Sequence, residues 1–227
     1  MLRSLARFAL FGLIATPFAA PALAQDDPVK GIYAVARAGA SISPEQKFDG
    51  SSVPLSSLFD DKTKYKTGIT GQIGGGYDFG LFRVEQTIGY TSNDLNLKDA
   101  NTGGLTSAGR SRAFSMTVAG YVDIPVHKII VPYVGGGIGA ARVEANLSRV
   151  NSATGVGSSF SGKDWGLMWH ADAGIGVRVS RKMTIEVGGR YAQTSGLKYA
   201  GESAGVATSF EPKLSTLSAT IGVRHVF

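Results

Sequence analysis

The C-terminal segment, residues 217–227, reads LSATIGVRHVF and alternates apolar with polar residues. One side of an extended chain would carry Leu217, Ala219, Ile221, Val223 and Phe227, and the other Ser218, Thr220, Gly222 and Arg224. Because successive side chains of a β-strand point to opposite faces, this period of two predicts a strand with one apolar face. The strand ends on an aromatic residue, Phe227.

The N-terminal segment predicts a cleaved signal peptide. Arg3 and Arg7 precede an uncharged apolar stretch at 8–20, and Ala22-Leu23-Ala24 provides small residues before Gln25. The alternative, a membrane anchor, would need roughly 20 apolar residues. We therefore expect residues 1–24 to be removed, leaving 25–227 as one exported domain.

The composition excludes several classes of protein. With no cysteine, the chain has no disulfide, no zinc–thiolate site and no thiol catalysis. The net charge of +6 is modest and scattered, which argues against a nucleic-acid partner. Glycine supplies 31 of 227 residues, about twice the usual share of roughly 7%, which disfavours a helical protein. Such a chain can enter a membrane only as a closed barrel, because an open sheet leaves backbone groups unpaired in lipid.

Strand-like segments alternate with connections that are long and short in turn. Eight strands are predicted at about 31–41, 67–79, 81–91, 112–123, 129–141, 165–179, 183–191 and 213–227. The strands are connected by three short turns, at 78–80, 124–128 and 180–182, and by four long, polar loops, at 42–66, 92–111, 142–164 and 192–212. This rhythm predicts an all-β fold, an eight-stranded antiparallel up-and-down transmembrane β-barrel with turns in the periplasm and loops outside. A water-soluble lipocalin-like barrel explains the rhythm and the final Phe less readily.

The alternation assigns charged side chains to the barrel interior, since an arginine at the membrane midplane costs roughly 2–4 kcal/mol. We expect a lumen charge network of Arg37, Asp78, Arg83, Glu85, Asp123, His170, Asp172, Arg178, Glu186, Arg190 and Arg224. Gln72 and Arg112 are also placed inward. Aromatic residues near strand ends suit girdles at the two membrane interfaces: Tyr77, Phe79, Phe82, Tyr90, Trp165, Tyr191 and Phe227.

Four motifs carry a resemblance to a known family: Ile32-Tyr33, Asp78-Phe79-Gly80, the stretch PYVGGGIG at 132–139, and Gly222 to Phe227. In this order the chain resembles the small eight-stranded outer-membrane barrels related to the membrane domain of outer membrane protein A, and the porin-like surface proteins of alpha-proteobacteria. The resemblance implies a bacterial outer-membrane location and variable surface loops. It also implies that the barrel insertion machinery reads the last strand through Gly222 and Phe227. His225 departs from the bulky apolar residue usual two places before the end.

Three features of the sequence could suggest cofactor binding, catalysis or metal binding, but each has a simpler interpretation. Residues 135–140, GGGIGA, match a dinucleotide fingerprint, but no acidic residue follows at 151–161, where the ribose contact belongs. His170 and Asp172 share the inward face, yet no motif couples a serine to this histidine, as a lipid A-modifying hydrolase would require. The three histidines are too dispersed to bind one metal. We expect no catalytic residues, no cofactor and no metal.

The predicted function is a structural and surface-interaction role carried by the four loops. The leading alternative is a narrow porin-like diffusion channel. Expected partners are outer-membrane lipid and lipopolysaccharide, with host or small-molecule ligands at the loops. Basic residues of the loops could contact lipopolysaccharide phosphates, or they could simply keep the loops soluble; we favour the second interpretation. These residues are Lys62, Lys64, Lys66, Arg142, Arg149 and Lys163.

Overall fold

A computed structural model describes residues 29–42, 44–48, 62–64, 66–95 and 105–227; the predicted signal peptide lies outside them. Their strands, in chain order, are β1 (Gly31–Ser41), β2 (Glu45–Phe48), β3 (Lys62–Lys64), β4 (Gly68–Asp78), β5 (Phe82–Asp94), β6 (Leu105–Asp123), β7 (Ile130–Asn151), β8 (Gly157–Arg178), β9 (Met183–Ser195), β10 (Tyr199–Ser203), β11 (Val206–Phe210) and β12 (Pro212–Val226). Among these residues, no helix is long and apolar enough to cross a membrane.

Eight strands close into an antiparallel barrel in the order β1-β4-β5-β6-β7-β8-β9-β12. The last strand pairs with the first, from Tyr33 opposite Val226 to Ser41 opposite Ser218. Every connection between sequential barrel strands joins antiparallel neighbours, as in an up-and-down barrel. The predicted fold class is confirmed. Residues 135–140 lie within β7, with strand on both sides instead of the helix that a dinucleotide site needs.

Both ends of the described chain and the three short turns lie at one end of the barrel, called here the turn end. The outer wall above it is an apolar band, the lipid-facing band, formed by the outward residues between two aromatic girdles. Its large members include Ile73, Val118, Ile138, Ile175, Val187 and Ile221, all exposed. All seven girdle aromatics named from the sequence are also exposed on this wall, from 39% for Tyr191 to 67% for Phe227.

Beyond the band, at the opposite end, the sheet continues as a β-extension. β7 and β8 are each 22 residues long and stay paired out to a tight turn at residues 152–156. β10 and β11 form a hairpin on the end of β8, and β2 and β3 pair alongside the end of β12.

The prediction of four long loops is therefore wrong for residues 142–164, which are almost entirely strand, and for much of 192–212. Residues 92–111 are strand at both ends, and the rest of that connection lies outside the described residues. The physical reason is an alternation that continues past the membrane. Val143, Ala145 and Leu147 are at most 1% exposed, while their polar neighbours face water.

Candidate functional site

An arginine held between two glutamates fills the middle of the barrel interior. Arg37 on β1 donates from Nη1 to Glu85 Oε1 at 2.5 Å and from Nη2 to Glu85 Oε2 at 2.9 Å. It also donates from Nε and Nη2 to Glu186 Oε2, at 3.1 and 2.9 Å. The three side chains are at most 5% exposed. Because Glu85 lies on β5 and Glu186 on β9, neither of them a neighbour of β1, these hydrogen bonds cross the lumen.

A second set of ion pairs lies nearer the turn end. Arg83 Nη2 is 2.9 Å from Asp123 Oδ1, and Arg224 Nη1 is 2.5 Å from Asp78 Oδ2. Arg224 also contacts Glu186 through Nε at 3.0 Å, which connects this set to the first. A buried charge is strongly unfavourable without a partner, so the pairing of all these groups is what allows them inside.

A third set lies on β8 and β9. Arg190 binds Asp172 in a bidentate manner, from Nε to Oδ1 at 2.6 Å and from Nη2 to Oδ2 at 2.8 Å. Tyr121 donates its hydroxyl hydrogen to Asp172 Oδ2 at 2.8 Å. His170 Nδ1 is 3.1 Å from the same oxygen, and its side chain is fully buried. The three sets together are called here the charged layer.

Glycine makes room for the charged layer where a larger residue would collide. An added Cβ at Gly222 would lie 2.6 Å from the carbonyl oxygen of Ala36 and would press against Cγ of Arg37. At Gly76 it would lie 2.8 Å from the hydroxyl of Tyr33, which itself donates to Glu85 at 3.1 Å. The last strand thus contributes Gly222 to the interior packing, whereas Phe227 lies on the outer wall.

Inside the β-extension the chemistry changes to an apolar layer. Its buried members are Leu95, Ala141, Val143, Ala145, Leu147, Phe160, Leu197, Tyr199, Phe210 and Leu214. The ring of Phe160 stacks on Tyr199, with centroids 5.4 Å apart, and contacts Phe210 at 5.3 Å. The Tyr199 hydroxyl donates to the carbonyl oxygen of Val143 at 3.1 Å, so its polar atom is satisfied.

Small cavities separate these side chains. One of about 10 Å³ lies beside Arg37, Tyr121 and Arg190. Another, of about 30 Å³, lies between the two layers and is lined by small polar groups such as Thr91 and Thr194. Since a single water needs roughly 10–15 Å³ of such space, the smaller cavity has room for about one water and the larger for about two or three. The side chains of the two layers fill most of the interior of the described barrel.

The structure places ten of the eleven predicted network residues in the charged layer. The eleventh, Arg178, lies at the turn end and donates to the carbonyl oxygen of Lys128 at 3.1 Å instead of to a carboxylate. The prediction that Arg112 faces inward is wrong. It lies on the outward side of β6, two residues above Phe114 and opposite Glu144. A charged side chain can face outward there because this part of the outer wall lies above the lipid-facing band.

One further assignment changes, and three interior residues were not predicted. Arg149, expected on the surface, is 2% exposed and donates from Nε to the hydroxyl of Ser107 at 3.2 Å. The sequence prediction missed three tyrosines that contact the charged layer: Tyr33 donates to Glu85, Tyr121 donates to Asp172, and the ring of Tyr133 lies under Arg83. The period-two alternation could have predicted their inward position. Tyr121, for example, lies two residues from the inward Asp123 and therefore on the same face of the strand.

The described residues offer no group of three or more His, Asp or Glu side chains that could hold a metal ion. The imidazole of His170 is 2% exposed, and Asp172 is its carboxylate neighbour. On its other side, Nε2 is 2.6 Å from where a side chain of Gly137 would begin. The imidazole is thus enclosed between Asp172 and the backbone of β7 at Gly137.

Known structures resemble the barrel as a whole. Neisserial surface protein A is 17% identical, with a TM-score of 0.50, covering 87% of this chain and 97% of that one. The outer membrane protein OprG from Pseudomonas aeruginosa is 16% identical, with a TM-score of 0.48, over 88% and 97%. Ail, the attachment invasion locus protein of Yersinia pestis, is 14% identical, with a TM-score of 0.44, over 86% and 99%. At 17% identity the likeness to Neisserial surface protein A concerns the fold alone. No curated protein matches the chain.

A family model, described as the outer membrane protein beta-barrel domain, matches residues 9–223, almost the whole chain. This match agrees with the closed barrel, with its lipid-facing band and with its polar interior. The chain therefore belongs to the outer membrane protein beta-barrel domain family, and it is a protein of the bacterial outer membrane.

Proposed function

We propose that this protein is a non-conducting barrel whose role is structural and whose surface interactions are made by the β-extension. The observation that carries the proposal is the filling of the barrel interior by two successive layers of buried side chains. An ion entering from the turn end meets the ion pairs of Arg37 with Glu85 and Glu186, and beyond them the rings of Phe160 and Phe210. We infer that these packed side chains leave no continuous aqueous path.

The outer surface of the β-extension suits contact with water and with polar partners. Its charges alternate in sign and pair: Arg110 with Asp94 at 2.8 Å and Lys163 with Glu144 at 3.3 Å. Such exposed pairs contribute little to stability, so their side chains are available to a partner. The partners that fit a mixed, polar platform at the outer leaflet are lipopolysaccharide headgroups and host or small polar ligands. We propose no enzymatic role, because His170 is enclosed.

Conductance in a planar bilayer tests the closed lumen. Refolded protein, shown to be folded by its gel mobility without boiling, should be electrically silent, while a general porin in the same bilayer conducts. Steady, salt-dependent current steps from the folded protein would overturn the proposal and make the porin-like channel the primary function.

Single cysteines test the orientation, because the chain has none of its own. The side chain of Lys198 is 68% exposed on the β-extension, and Lys182 lies in a turn at the opposite end. A membrane-impermeant maleimide should label Lys198→Cys in intact cells and label Lys182→Cys only after the outer membrane is opened. The reverse pattern would place the β-extension in the periplasm and remove it as a surface platform.

A further inference from the structure

One polar side chain faces lipid near the middle of the outer wall. Gln86 lies on the outward face of β5, between Val84 and Ile88, and is exposed. It is four residues from Phe82 at one girdle and four from Tyr90 at the other, which places it at mid-height. Apart from His225 at the level of the turn-end girdle, the other outward residues of the barrel strands across the band are glycine, alanine, proline or a larger apolar residue.

The Gln86 amide makes no hydrogen bond within the described part of the chain. A primary carboxamide offers two N–H donors and a carbonyl acceptor. In hydrocarbon no water can satisfy these groups, and each one left unpaired is costly. The position therefore requires a partner that approaches the wall from outside the barrel.

The wall around Gln86 is shaped for such an approach. Gly75 is directly opposite Gln86 on β4, and Gly120 lies diagonally across on β6. A Cβ added at Gly120 would meet nothing within 4 Å, so packing inside the barrel does not demand glycine there. Glycine weakens a strand interior, and one of its recurring uses is to let another backbone come close. An open apolar groove of about 880 Å³ begins at Ile88 on this wall and extends over Ala36 and Gly71 as far as Ile185 on β9.

We propose that this wall is a lateral interface with a second copy of the chain, related by a two-fold axis along the membrane normal. Such an axis keeps every residue at its own depth, so Gln86 meets Gln86. Two carboxamides related in this way can each donate to the other, which a lipid acyl chain cannot do. A two-fold interface uses the same patch on both subunits, and this patch is self-complementary in its hydrogen bonding. The interface does not depend on whether the lumen conducts.

Crosslinking in lipid vesicles tests the proposal, again aided by the absence of native cysteine. Ile88→Cys, two residues from Gln86 on the same face, should crosslink with a short bis-maleimide at low protein-to-lipid ratio. The matched control is Ile175→Cys on β8, which is exposed on the outer wall and lies outside the apolar groove. Equal crosslinking at both sites, or none at Ile88, would overturn the proposal; the latter result would leave lipid or an unrelated membrane protein as the occupant.

Removal of the amide tests its role directly. In the Ile88→Cys background, Gln86→Leu should lower the association constant of the dimer by about tenfold. This change corresponds to about 1.4 kcal/mol in the free energy of dimerisation. This size fits two interchain amide hydrogen bonds in a membrane. Gln193→Leu, on the outward face above Tyr191 and outside the lipid-facing band, should leave the constant unchanged. Folding is followed by gel mobility, and Gln86→Leu should not weaken it. Undiminished crosslinking in a folded Gln86→Leu variant would refute the interface.

Discussion

The charged layer and the apolar layer occupy the same barrel, yet they follow opposite rules. In the charged layer the interior holds ion pairs and the outer wall is apolar. In the β-extension the interior holds the apolar layer and the outer wall is polar. β7 runs without a break from the membrane-spanning part of the barrel into the β-extension. On its outward side Ile138 faces lipid, and Arg142, four residues further on, faces water. The solvent outside each segment, lipid or water, determines which side chains must go inside.

The two regimes also differ in what stabilises them. The charged layer depends on ion pairs across the lumen, since removal of one partner leaves a buried charge alone. The apolar layer depends on area removed from water and on close packing. Substitutions in each layer, taken in order of the expected effect, test this difference.

The largest effect should follow from Arg37→Met. The substitution keeps an apolar side chain of similar length but removes the cation that donates hydrogen bonds to both glutamates. Glu186 keeps Arg224 at 3.0 Å, whereas the remaining arginine contact of Glu85, with Arg83, is longer at 3.8 Å. We expect a loss of about 3–5 kcal/mol in the free energy of unfolding. Urea-dependent unfolding, followed by gel mobility without boiling, measures it.

The control for Arg37→Met is Arg110→Met, which removes an arginine from the exposed pair with Asp94 on the β-extension. Solvent screens that pair, so its midpoint in urea should match that of the unmodified protein. Equal midpoints for the two variants would mean that the charged layer does not stabilise the barrel.

A smaller and more local effect should follow from Leu147→Ala in the apolar layer. The side chain is 1% exposed, and its truncation leaves a cavity that costs about 2–5 kcal/mol. Because Leu147 packs only within the β-extension, trypsin should cleave there, for instance after Arg142 or Arg149, while the rest of the barrel keeps its unboiled mobility. Ile138→Ala, on the lipid side of the same strand, opens no cavity because lipid fills the space, and should stay resistant. A Leu147→Ala variant as resistant as its control would contradict an independently packed apolar layer.

The sequence predicts the barrel well because the contrast between its faces is large within the membrane. On β5, Arg83 and Glu85 alternate with Phe82 and Val84, and only one arrangement keeps the charges out of lipid. The β-extension is harder to predict because its contrast is weaker and reversed. Residues 142–150 contain serine, asparagine and arginine, which suggests a loop, although every second position is buried.

The pairing within the charged layer could not be predicted from the sequence. Arg37 binds glutamates that lie 48 and 149 positions away in the sequence, on strands that are not its neighbours. Which carboxylate an arginine reaches depends on strand register and on the tilt of the closed barrel. Local alternation gives the face of a residue and contains no information about its height.

The last prediction locates the boundary between the two regimes along a single strand. Ile138 and Asn146 lie on the same outward face of β7, one within the lipid-facing band and the other above it. Ile138→Lys should cost about 2–4 kcal/mol, since it places an ammonium group near the membrane midplane. Asn146→Lys exchanges one polar group for another in water and should change the unfolding free energy little. Unfolding in lipid vesicles measures both, and equal losses for the two variants would mean that the face reversal along β7 does not mark the outer edge of the bilayer.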